Sequence, residues 1–600
     1  MKKFKKLTAF ICAAALLLSL AACSKKNENI SSKQSSLSSD IMSSDIVSDL
    51  ESDAQESISS EDTLNSAGSN SGNTKSSLIT ASAVSGGSSS VSSSIPKPTG
   101  GKTVNIKDFG AKGDGITDDG VAILNAVGNL KAGDTLVFES NKTYYAKNNG
   151  AGMNYIINIA NANGITLKGN NTTLLIDAPK AYIEVNNSAN VTIEGFNFDY
   201  KTKPAFRATA VSSDINTTTG VAVMTADRDI GLENNEVYQA PRDWFGVLEM
   251  NESRHHTYIK SYKMLDKSKR KVEVTFNVSI STTKNFLEML KNGSSPAFVA
   301  PMPFVGHLVE RAFSFSGNTD FTMKNCNVYA ISRFGFAIFN SEGTVLFNNV
   351  NIGRAPNQID QKLFFAGWRD GFHCKQNRGK IVWENCKVAD LYDDVINLSS
   401  SILYVKEVNA NKTEIDMFWE ETNGGAFDTL KSGDKLTIIN TTTGQIIGSA
   451  SIQRVMKQSG STNRVLLDKA LPNLASGSNI LVMLDSLSAP GSEIKNCNFN
   501  GTFRFRGKLT VTNTKIHNRR MWMDIDIADN KYVEGPVPQN ITFKNCAFTL
   551  DSGGEVFHIS AHNSKTGSNT YHVKNIVFDG CTGISKSRME IGSGDEVIIK

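Results

Sequence analysis

Four stretches of the chain repeat one short pattern, and this pattern decides the fold. They read FTMKNCNV (residues 321–328), VLFNNVNI (345–352), IVWENCKV (381–388) and ITFKNCAF (541–548). Apolar and polar side chains alternate in them, which is typical of a strand with one buried face. The Asn that follows tolerates the left-handed backbone conformation, so the chain can turn there. Shorter copies, some with Gly in place of Asn, stand at residues 165–169, 191–195, 494–499, 511–516 and 576–581.

The recurrence of one strand and one turn predicts stacked rungs, with each strand lying over the next. The number of residues between copies varies widely, and a parallel β-helix allows this because insertions leave from its turns. No helical periodicity covers the same segments, which argues against a helical solenoid. We therefore predict an all-β chain that forms a parallel β-helix.

The cysteines agree with this prediction. Five of the eight occupy the same slot of the repeat, directly after the turn residue, where the side chain points inward again. Stacked core thiols explain this placement better than a disulfide framework does, and without a C-x-x-C pair we predict no metal centre. The five are Cys326, Cys386, Cys497, Cys546 and Cys581.

Two stretches interrupt the repeats. Residues 201–305 and 401–488 contain alternating segments with turn signals of their own, so we predict two inserted β-rich subdomains that resemble small barrels. The rungs then form three blocks, at 103–200 with an N-terminal cap, at 306–400, and at 489–600.

The first hundred residues predict export and tethering. Residues 1–22 combine four lysines with a short apolar core, which is typical of a secretory signal peptide. Small residues directly before Cys23 indicate a bacterial lipobox and lipidation of that cysteine. Residues 23–102 are rich in Ser and contain no Phe, Tyr or Trp, so they predict a disordered linker. We expect an extracytoplasmic lipoprotein that is attached to the cell membrane.

The charge excludes one class of partner. The chain has 63 Lys and Arg against 59 Asp and Glu, a formal net charge of +4. A nucleic-acid binder needs a concentrated basic excess, so we predict no nucleic-acid partner. A neutral sugar polymer is compatible with this balance, and nothing in the sequence predicts an oligomeric state.

Acidic side chains concentrate between the two inserts. Asp370 and Asp393 are 23 residues apart, which is also the interval between Asn325 and Asn348 of the repeat. We expect them one rung apart, on strands about 4.8 Å from each other, with Asp394 beside Asp393. Crowded carboxylates repel one another and raise the pKa of at least one. Glycoside hydrolysis uses such a set, with one carboxyl protonated and another ionised. The alternative interpretations of the three aspartates are a solvated polar turn and a calcium site.

The start of the folded part resembles a known family. Residues 104–123, VNIKDFGAKGDGITDDGVAI, are similar to the opening of the pectate-lyase-like right-handed β-helix proteins. The resemblance implies a right-handed parallel β-helix whose first rung is covered by a short helix. Asp118 can cap that helix, so we interpret Asp118 and Asp119 as structural. The apolar side of the helix consists of Ile123, Ala126, Val127 and Leu130.

A closer resemblance lies in the acidic segment. Residues 370–397 contain Asp-x-x-His, then x-Gly, Asn-Cys and Asp-Asp-x-x-Asn, and this run resembles the catalytic stretch of glycoside hydrolase family 110. RFRG at residues 504–507 is similar to the Arg-x-Arg-Gly of that family. One departure follows Asn397, where Leu398 and Ser399 stand and the family tends to have a His next-but-one. The resemblance implies an α-galactosidase that removes terminal α-1,3-linked galactose with inversion, on a β-helix with barrel inserts.

Carried over residue by residue, the resemblance implies that Asp370, Asp393 and Asp394 are catalytic and that Arg504 and Arg506 belong to the substrate site. We expect Asp370 to protonate the leaving oxygen and the other two to deprotonate the attacking water. The expected partner is an oligo- or polysaccharide, and no cofactor is expected. Further substrate contacts are predicted from residue types that suit sugar hydroxyls or sugar faces, namely His373, Trp368, Lys375 and Asn397.

Three other functions stay open at this point. A polygalacturonase also uses one Asp and a later Asp pair on adjacent rungs, although its usual Gly-His-Gly and Arg-Ile-Lys motifs are missing here. A calcium-dependent pectate lyase would use a basic residue and an acidic calcium site. A non-catalytic β-helix would bind carbohydrate at the cell surface.

Overall fold

A computed structural model describes residues 95–147, 154–177, 180–241, 244–250, 253–279, 281–293, 297–303, 311–356, 366–418, 430–459, 462–527, 533–551, 555–564, 567 and 571–600. These residues belong to one compact unit, Ser71–Lys600. The other unit, Met1–Asn70, lies outside the described residues, as do the predicted signal peptide, Cys23 and most of the predicted linker. Within the described ranges, no helix has the length and apolar character needed to cross a bilayer.

The first block of rungs starts with the predicted cap. Its helix, α1, spans Gly120–Gly128. The strands are β1 (Thr103–Asn105), β2 (Asp114–Asp118), β3 (Thr135–Val137), β4 (Thr143–Ala146), β5 (Tyr155–Ala160), β6 (Thr166–Ile176), β7 (Ala181–Asn186) and β8 (Thr192–Tyr200).

The paired aspartates before α1 hold this cap together. Asp118 Oδ1 accepts the backbone N–H of Gly120 at 3.1 Å. Asp119 accepts the backbone N–H groups of Lys112 and Gly113 at 2.7 and 3.0 Å. Ile123 and other apolar residues of α1 pack into the core. The structural interpretation of the acidic pair is thus confirmed.

The first insert is a closed barrel. Its strands are β9 (Ala205–Asn216), β10 (Val221–Ala226), β11 (Val237–Gln239), β12 (Phe245–Met250), β13 (Ser253–Asp266), β14 (Lys271–Phe276) and β15 (Ala297–Pro301), and helix α2 spans Ser281–Asn292. Strands pair in the order β13-β12-β15-β9-β10-β14, and β14 pairs back with β13 to close a ring of six, with β11 added on β13. The barrel has a hydrophobic core of its own.

The second block of rungs carries most of the acidic segment. Its strands are β16 (Arg311–Ser316), β17 (Thr319–Val328), β18 (Phe334–Phe339), β19 (Glu342–Ile352), β20 (Phe372–Lys375), β21 (Lys380–Glu384), β22 (Lys387–Val388) and β23 (Asp394–Ser399).

The second insert is also a closed barrel of six strands. They are β24 (Ile402–Val408), β25 (Glu414–Phe418), β26 (Lys435–Asn440), β27 (Gln445–Ser459), β28 (Thr462–Leu467) and β29 (Gly477–Leu484). Arg378 of the β-helix anchors this barrel through two bonds to Asp434, at 2.9 and 2.6 Å.

The last block completes the β-helix. Its strands are β30 (Ser492–Lys495), β31 (Asn498–Phe505), β32 (Leu509–Thr512), β33 (Lys515–Trp522), β34 (Ile525–Asp526), β35 (Gln539–Lys544), β36 (Ala547–Leu550), β37 (Phe557–Ile559), β38 (Ala561–His562), β39 (Lys574–Asp579), β40 (Met589–Ile591) and β41 (Val597–Ile599).

Apart from β34 and β38, which pair with each other, the strands of the three blocks form one continuous parallel sheet of 26 strands that winds through successive rungs. Pairing skips the inserts: β16 pairs with β7 across the first barrel, and β21 pairs with β30 across the second. Connections between parallel strands are right-handed in nearly all proteins. The predicted right-handed parallel β-helix with two barrel-like inserts is confirmed.

The repeat acts as the sequence predicts. Asn325, Asn349 and Asn385 turn the chain at φ values of +53°, +52° and +56°, and Asn349 donates to Asn325 at 2.9 Å. Aromatic rings stack inside, and the rings of Phe313 and Phe336 lie 4.4 Å apart at 12°. The six cysteines in the described part of the chain are free thiols. Four of the five in the predicted core slot are buried and Cys581 is half-buried, while Cys374, outside the slot, is also buried.

Candidate active site

Three neighbouring rungs carry the site. Strands β20, β23 and β31 pair in parallel, and their registers align His373 with Asn397 and Asn397 with Arg504. Phe372 and Cys374 are fully buried in the core. Because side chains alternate along a strand, His373 between them lies on the outer face. The repeat therefore places three polar side chains in one column outside the β-helix.

Three carboxyl groups meet beside this column. One oxygen each of Asp370, Asp393 and Asp394 lies within 4.8 Å of the others. The predicted pairing needs a correction, because the register joins Phe372 with Ile396, an offset of 24 residues. Asp394, and not Asp393, is therefore the residue opposite Asp370. The three carboxyls nevertheless converge as predicted.

Asp370 is a buried carboxyl that contacts a histidine. Its side chain is 5% exposed, and its Oδ2 lies 2.6 Å from Nδ1 of His373. Burial, and after it the charges of Asp393 and Glu534, raise the pKa of Asp370 well above its usual range. Burial and the nearby charge of Lys375 lower the pKa of His373 to about 3. Asp370, with its raised pKa, therefore lies beside a neutral imidazole.

Asp393 and Asp394 each contact an arginine. Arg369 Nη1 lies 3.0 Å from Asp393 Oδ2, and Arg504 Nε lies 3.3 Å from Asp394 Oδ2. Burial raises the pKa of Asp394 well above its usual range, and the guanidinium of Arg504 opposes this shift. The side chain of Asp393 is 31% exposed, so it is the most accessible of the three carboxyls. Both arginines favour negative charge on this pair.

A fourth carboxylate, Glu534, completes the site and was not predicted. Lys375 Nζ lies 2.5 Å from its Oε1, and Asn397 Nδ2 donates to both of its oxygens at 3.3 Å. Arg504 Nε lies 3.8 Å from its Oε2. Burial by itself raises the pKa of Glu534, but the charges of Lys375 and Arg504 hold it below the usual range. Glu534 is therefore ionised.

Backbone pairing far from the repeat places Glu534. Its neighbour Gly535 exchanges two hydrogen bonds with Ser400, at 2.8 and 2.6 Å, directly after the end of β23. Glu534 lies between β34 and β35, outside the repeated pattern. A lone Glu in an irregular segment gives no sequence signal, so only the three-dimensional contact reveals it.

Trp368 lies in the wall between the β-helix and the first insert. It is 4% exposed, and its ring packs 5.7 Å from Phe245 and 4.9 Å from Tyr392. The adjoining crevice has a volume of about 10 Å³, enough for one water molecule. The structure thus places Trp368 in packing, whereas the sequence predicted a contact with a sugar face.

Arg506 lies behind the site. Its side chain is 5% exposed, and Nη2 lies 3.1 Å from Asp524 Oδ1. Nη1 donates to the carbonyl of Trp522 at 3.2 Å, and Nε donates to the carbonyl of Glu534 at 3.3 Å. It braces the rungs that carry the site. Four of the predicted substrate contacts lie at the site. His373 contacts Asp370 and Arg504 contacts Asp394, whereas Lys375 and Asn397 contact Glu534.

The carboxyl cluster is also the one group among the described residues whose geometry suits a metal ion. Carboxylate oxygens are the ligands that calcium and magnesium prefer. Arg369 and Arg504 already supply positive charge to Asp393 and Asp394, which disfavours a cation at the same oxygens. The buried Oδ1 of Asp394 has no hydrogen-bond partner among the described residues. A water molecule or a sugar hydroxyl would satisfy it.

The chain has distant curated relatives. α-1,3-Galactosidase B of Bacteroides thetaiotaomicron is 21% identical over 442 residues, which cover 69% of this chain and 69% of that protein. α-1,3-Galactosidase A of Akkermansia muciniphila is 22% identical over 298 residues, 48% of this chain and 47% of that protein. The chain thus spans about half the length of the latter. These relatives confirm the predicted resemblance to α-1,3-galactosidases of glycoside hydrolase family 110.

Protein families and solved structures add little to the resemblance to these relatives. No protein-family model matches the chain. Among solved structures, the polygalacturonase of Erwinia carotovora ssp. carotovora is 11% identical with a TM-score of 0.34, and the match covers 84% of this chain and 98% of that chain.

Proposed function

We propose that the protein is a glycoside hydrolase that removes terminal α-linked galactose from glycans. One observation carries the proposal: a buried Asp370, whose pKa is raised, lies close to two aspartates that each contact an arginine. Hydrolysis of a glycosidic bond needs one proton donor and one ionised carboxylate. The names of the curated relatives supply the choice of galactose and of the α-linkage.

Asp370 is the acid in this mechanism. The hydrogen-bond partner of its carboxyl is a neutral imidazole, and burial raises its pKa even though the charges of Arg504 and Arg369 oppose the rise. It gives the proton to the leaving oxygen as the bond to the sugar breaks. Asp393 and Asp394 hold a water molecule and accept its proton as the water attacks the anomeric carbon. The unsatisfied Oδ1 of Asp394 is a binding point for that water.

We further propose that the reaction inverts the anomeric configuration, as the family resemblance implies. Acid and base carboxyls are usually about 6.5–9.5 Å apart in inverting enzymes and about 5–5.5 Å in retaining ones. One oxygen of each of the three aspartates lies within 4.8 Å of the others, which is closer than the inverting range. The stereochemistry therefore needs direct measurement. NMR of the first product from an α-galactoside should show β-galactose, and α-galactose would assign a double displacement.

Substitution of the three aspartates tests the mechanism. Asp370→Asn, Asp393→Asn and Asp394→Asn should each lower turnover of an α-1,3-galactosyl disaccharide by about 10²–10⁴, the usual worth of a positioned acid or base. Of the three variants, only Asp370→Asn should retain part of its turnover on nitrophenyl α-galactoside, because nitrophenolate leaves without a proton. Near-normal turnover in all three variants would overturn the assignment. Circular dichroism checks that each variant is folded.

A substrate and chelator panel separates the remaining functions. Hydrolysis of α-galactosides that persists in EDTA supports the proposal. Cleavage of polygalacturonate without added metal would assign a polygalacturonase, and cleavage that EDTA abolishes and calcium restores would assign a lyase. Binding of glycans without turnover of any would leave a carbohydrate-binding surface protein.

We also propose that the enzyme is held at the outer face of the cell membrane by lipid on Cys23. The proposal rests on the signal peptide and lipobox in residues 1–23 and on the Ser-rich linker that follows. A flexible linker of this length spans roughly 50 Å, enough to lift the folded part from the bilayer.

A further inference from the structure

A column of planar side chains continues from the site along the β-helix. The registers of successive rungs align Arg504 of β31 with Trp522 of β33, and Trp522 with His558 of β37. The next rung aligns His558 with Glu590 of β40. Because the strands are parallel and in register, each side chain lies directly over the next at the rung spacing of about 4.8 Å. We call Arg504, Trp522 and His558 the planar stack.

The members of the planar stack contact one another. The guanidinium carbon of Arg504 lies 5.2 Å from the centre of the Trp522 ring. The rings of Trp522 and His558 are nearly parallel, at 16°, with centres 5.9 Å apart. Behind them, His558 Nδ1 lies 2.7 Å from Glu590 Oε2. The indole is therefore covered by a cation on one face and by an imidazole on the other.

This arrangement excludes one common role for Trp522. An aromatic ring that binds sugar by stacking must offer a free face to the sugar. Both faces of the Trp522 ring are occupied within the protein. Its contribution to the site must therefore pass through Arg504.

Arg504 is the point where the planar stack meets the carboxyl cluster. Its Nε lies 3.3 Å from Asp394 Oδ2 and 3.8 Å from Glu534 Oε2. Two carboxylates thus lie near one guanidinium. Hydrogen bonds to them do not by themselves fix the plane of the Arg504 guanidinium. A guanidinium lying against an indole face is held by cation–π attraction, which fixes that plane.

We propose that Trp522 is a positioning residue that aims Arg504 at Asp394. It acts only through this guanidinium, with His558 and Glu590 supporting it from behind. The inference rests on the proposed function, since Asp394 is there assigned to the attacking water. If Arg504 swings toward Glu534, the transition state loses stabilisation while the substrate still binds, so kcat should fall and KM should change little.

Two substitutions of Trp522 separate positioning from bulk packing. Trp522→Leu removes the aromatic face, and kcat should fall by about 2- to 30-fold, the range set by the strength of cation–π contacts. Trp522→Phe keeps an aromatic face and should recover most of the loss. Tyr145→Leu is the matched control, because it removes the ring that lies 3.9 Å below Lys201 in the N-terminal rungs. It should leave kcat unchanged.

A double-mutant cycle tests whether the effect passes through Arg504. In an Arg504→Lys background, Trp522→Leu should cost no more than about a twofold further loss, because the planar contact is already gone. Equal losses in both backgrounds, or a loss in Trp522→Phe as large as in Trp522→Leu, would overturn the proposal.

A crystal structure of Trp522→Leu separates this inference from the proposed function. The guanidinium of Arg504 should move away from Asp394 Oδ2 in that variant and stay in place in Trp522→Phe. This outcome can be seen whether or not the wild type hydrolyses α-galactosides, which is tested by its own turnover. An unmoved Arg504 in Trp522→Leu would refute the positioning role.

Discussion

Glu534→Gln removes one negative charge from the most buried ion pair of the site, and its cost can be worked from the contacts. The side chains of Lys375 and Glu534 are 6% and 11% exposed, and Nζ lies 2.5 Å from Oε1. Gln keeps the size of Glu and leaves the ammonium of Lys375 buried without its anion. Breaking a buried pair from one side costs about 3–5 kcal/mol of unfolding free energy. We expect a loss in this range at neutral pH.

The pH dependence of that loss has a definite sign. Burial opposes ionisation of Glu534, but Lys375 and Arg504 hold its pKa below the usual range in the folded protein. A carboxyl with a lowered pKa stabilises the fold above its unfolded pKa of about 4.3, and this contribution is lost as the pH falls through the folded value. The difference between wild type and Glu534→Gln should therefore be constant near pH 7 and shrink below about pH 4.

Urea unfolding followed by tryptophan fluorescence measures this difference at each pH. Glu233→Gln is the matched control, because Glu233 also lies 2.5 Å from a lysine, Lys267, but its side chain is 75% exposed. An exposed pair is worth at most about 1 kcal/mol. Equal losses in the two variants, or a loss in Glu534→Gln that does not change with pH, would refute the reasoning.

Three further predictions concern the surroundings of the site. His373→Phe should lower kcat/KM on the disaccharide about tenfold, because Asp370 loses the imidazole that lies 2.6 Å from its Oδ2. The pH at which kcat/KM falls on the alkaline side of the profile should also shift. An unchanged pH profile would contradict this prediction. Phe245→Leu should lower kcat two- to tenfold, since the Phe245 ring of the first insert lies 5.6 Å from the guanidinium of Arg369, which contacts Asp393. Val237→Leu on the same barrel serves as the control. Cys23→Ala should move the protein from the membrane to the soluble fraction of cells, because the lipid chains are lost; unchanged fractionation would refute the lipobox.

The rungs could be predicted because the same physical constraint acts in each copy. Alternation fixes the buried face, and a left-handed Asn fixes the turn, so Asn325 and Asn385 turn the chain as expected. The barrel inserts could be placed because they break this period. Their barrel-like form was predicted, but the order in which the strands pair, such as β13 with β14, was not, since local patterns do not encode it.

The sequence predicts an offset of 23 residues between the strands of the catalytic rungs, one residue less than the structure shows, and the reason can be identified. Asn325 lies opposite Asn349, because the next residues, Cys326 and Val350, pair with each other at an offset of 24. Asn325 and Asn349 are also the residues that turn the chain, with φ values of +53° and +52°. The interval of 23 runs to Asn348, the first of two adjacent asparagines, which is not the turn residue. Two adjacent asparagines look alike to a spacing rule, so the sequence could not show which aspartate faces Asp370.

Residues outside the repeat were the second part of the site that could not be predicted from the sequence. Glu534 reaches the site through the contact of Gly535 with Ser400, and Trp522 matters only through the register that stacks it under Arg504. Neither residue belongs to a motif. Both become visible once distant segments are brought together, since their roles depend on neighbours in space.

The division of labour among the four carboxyls follows from which cation each one contacts. Asp393 contacts Arg369, Asp394 contacts Arg504, and Glu534 contacts Lys375. Three carboxyls thus contact a basic side chain. The remaining one, Asp370, contacts His373, whose lowered pKa of about 3 keeps the ring neutral at physiological pH.

Burial raises the pKa of both Asp370 and Asp394 well above the usual range. Asp394 contacts the guanidinium of Arg504, whereas Asp370 contacts a neutral imidazole, which cannot stabilise an anion as a guanidinium does. These contacts support Asp370, the first aspartate of the motif, as the acid of the proposed mechanism.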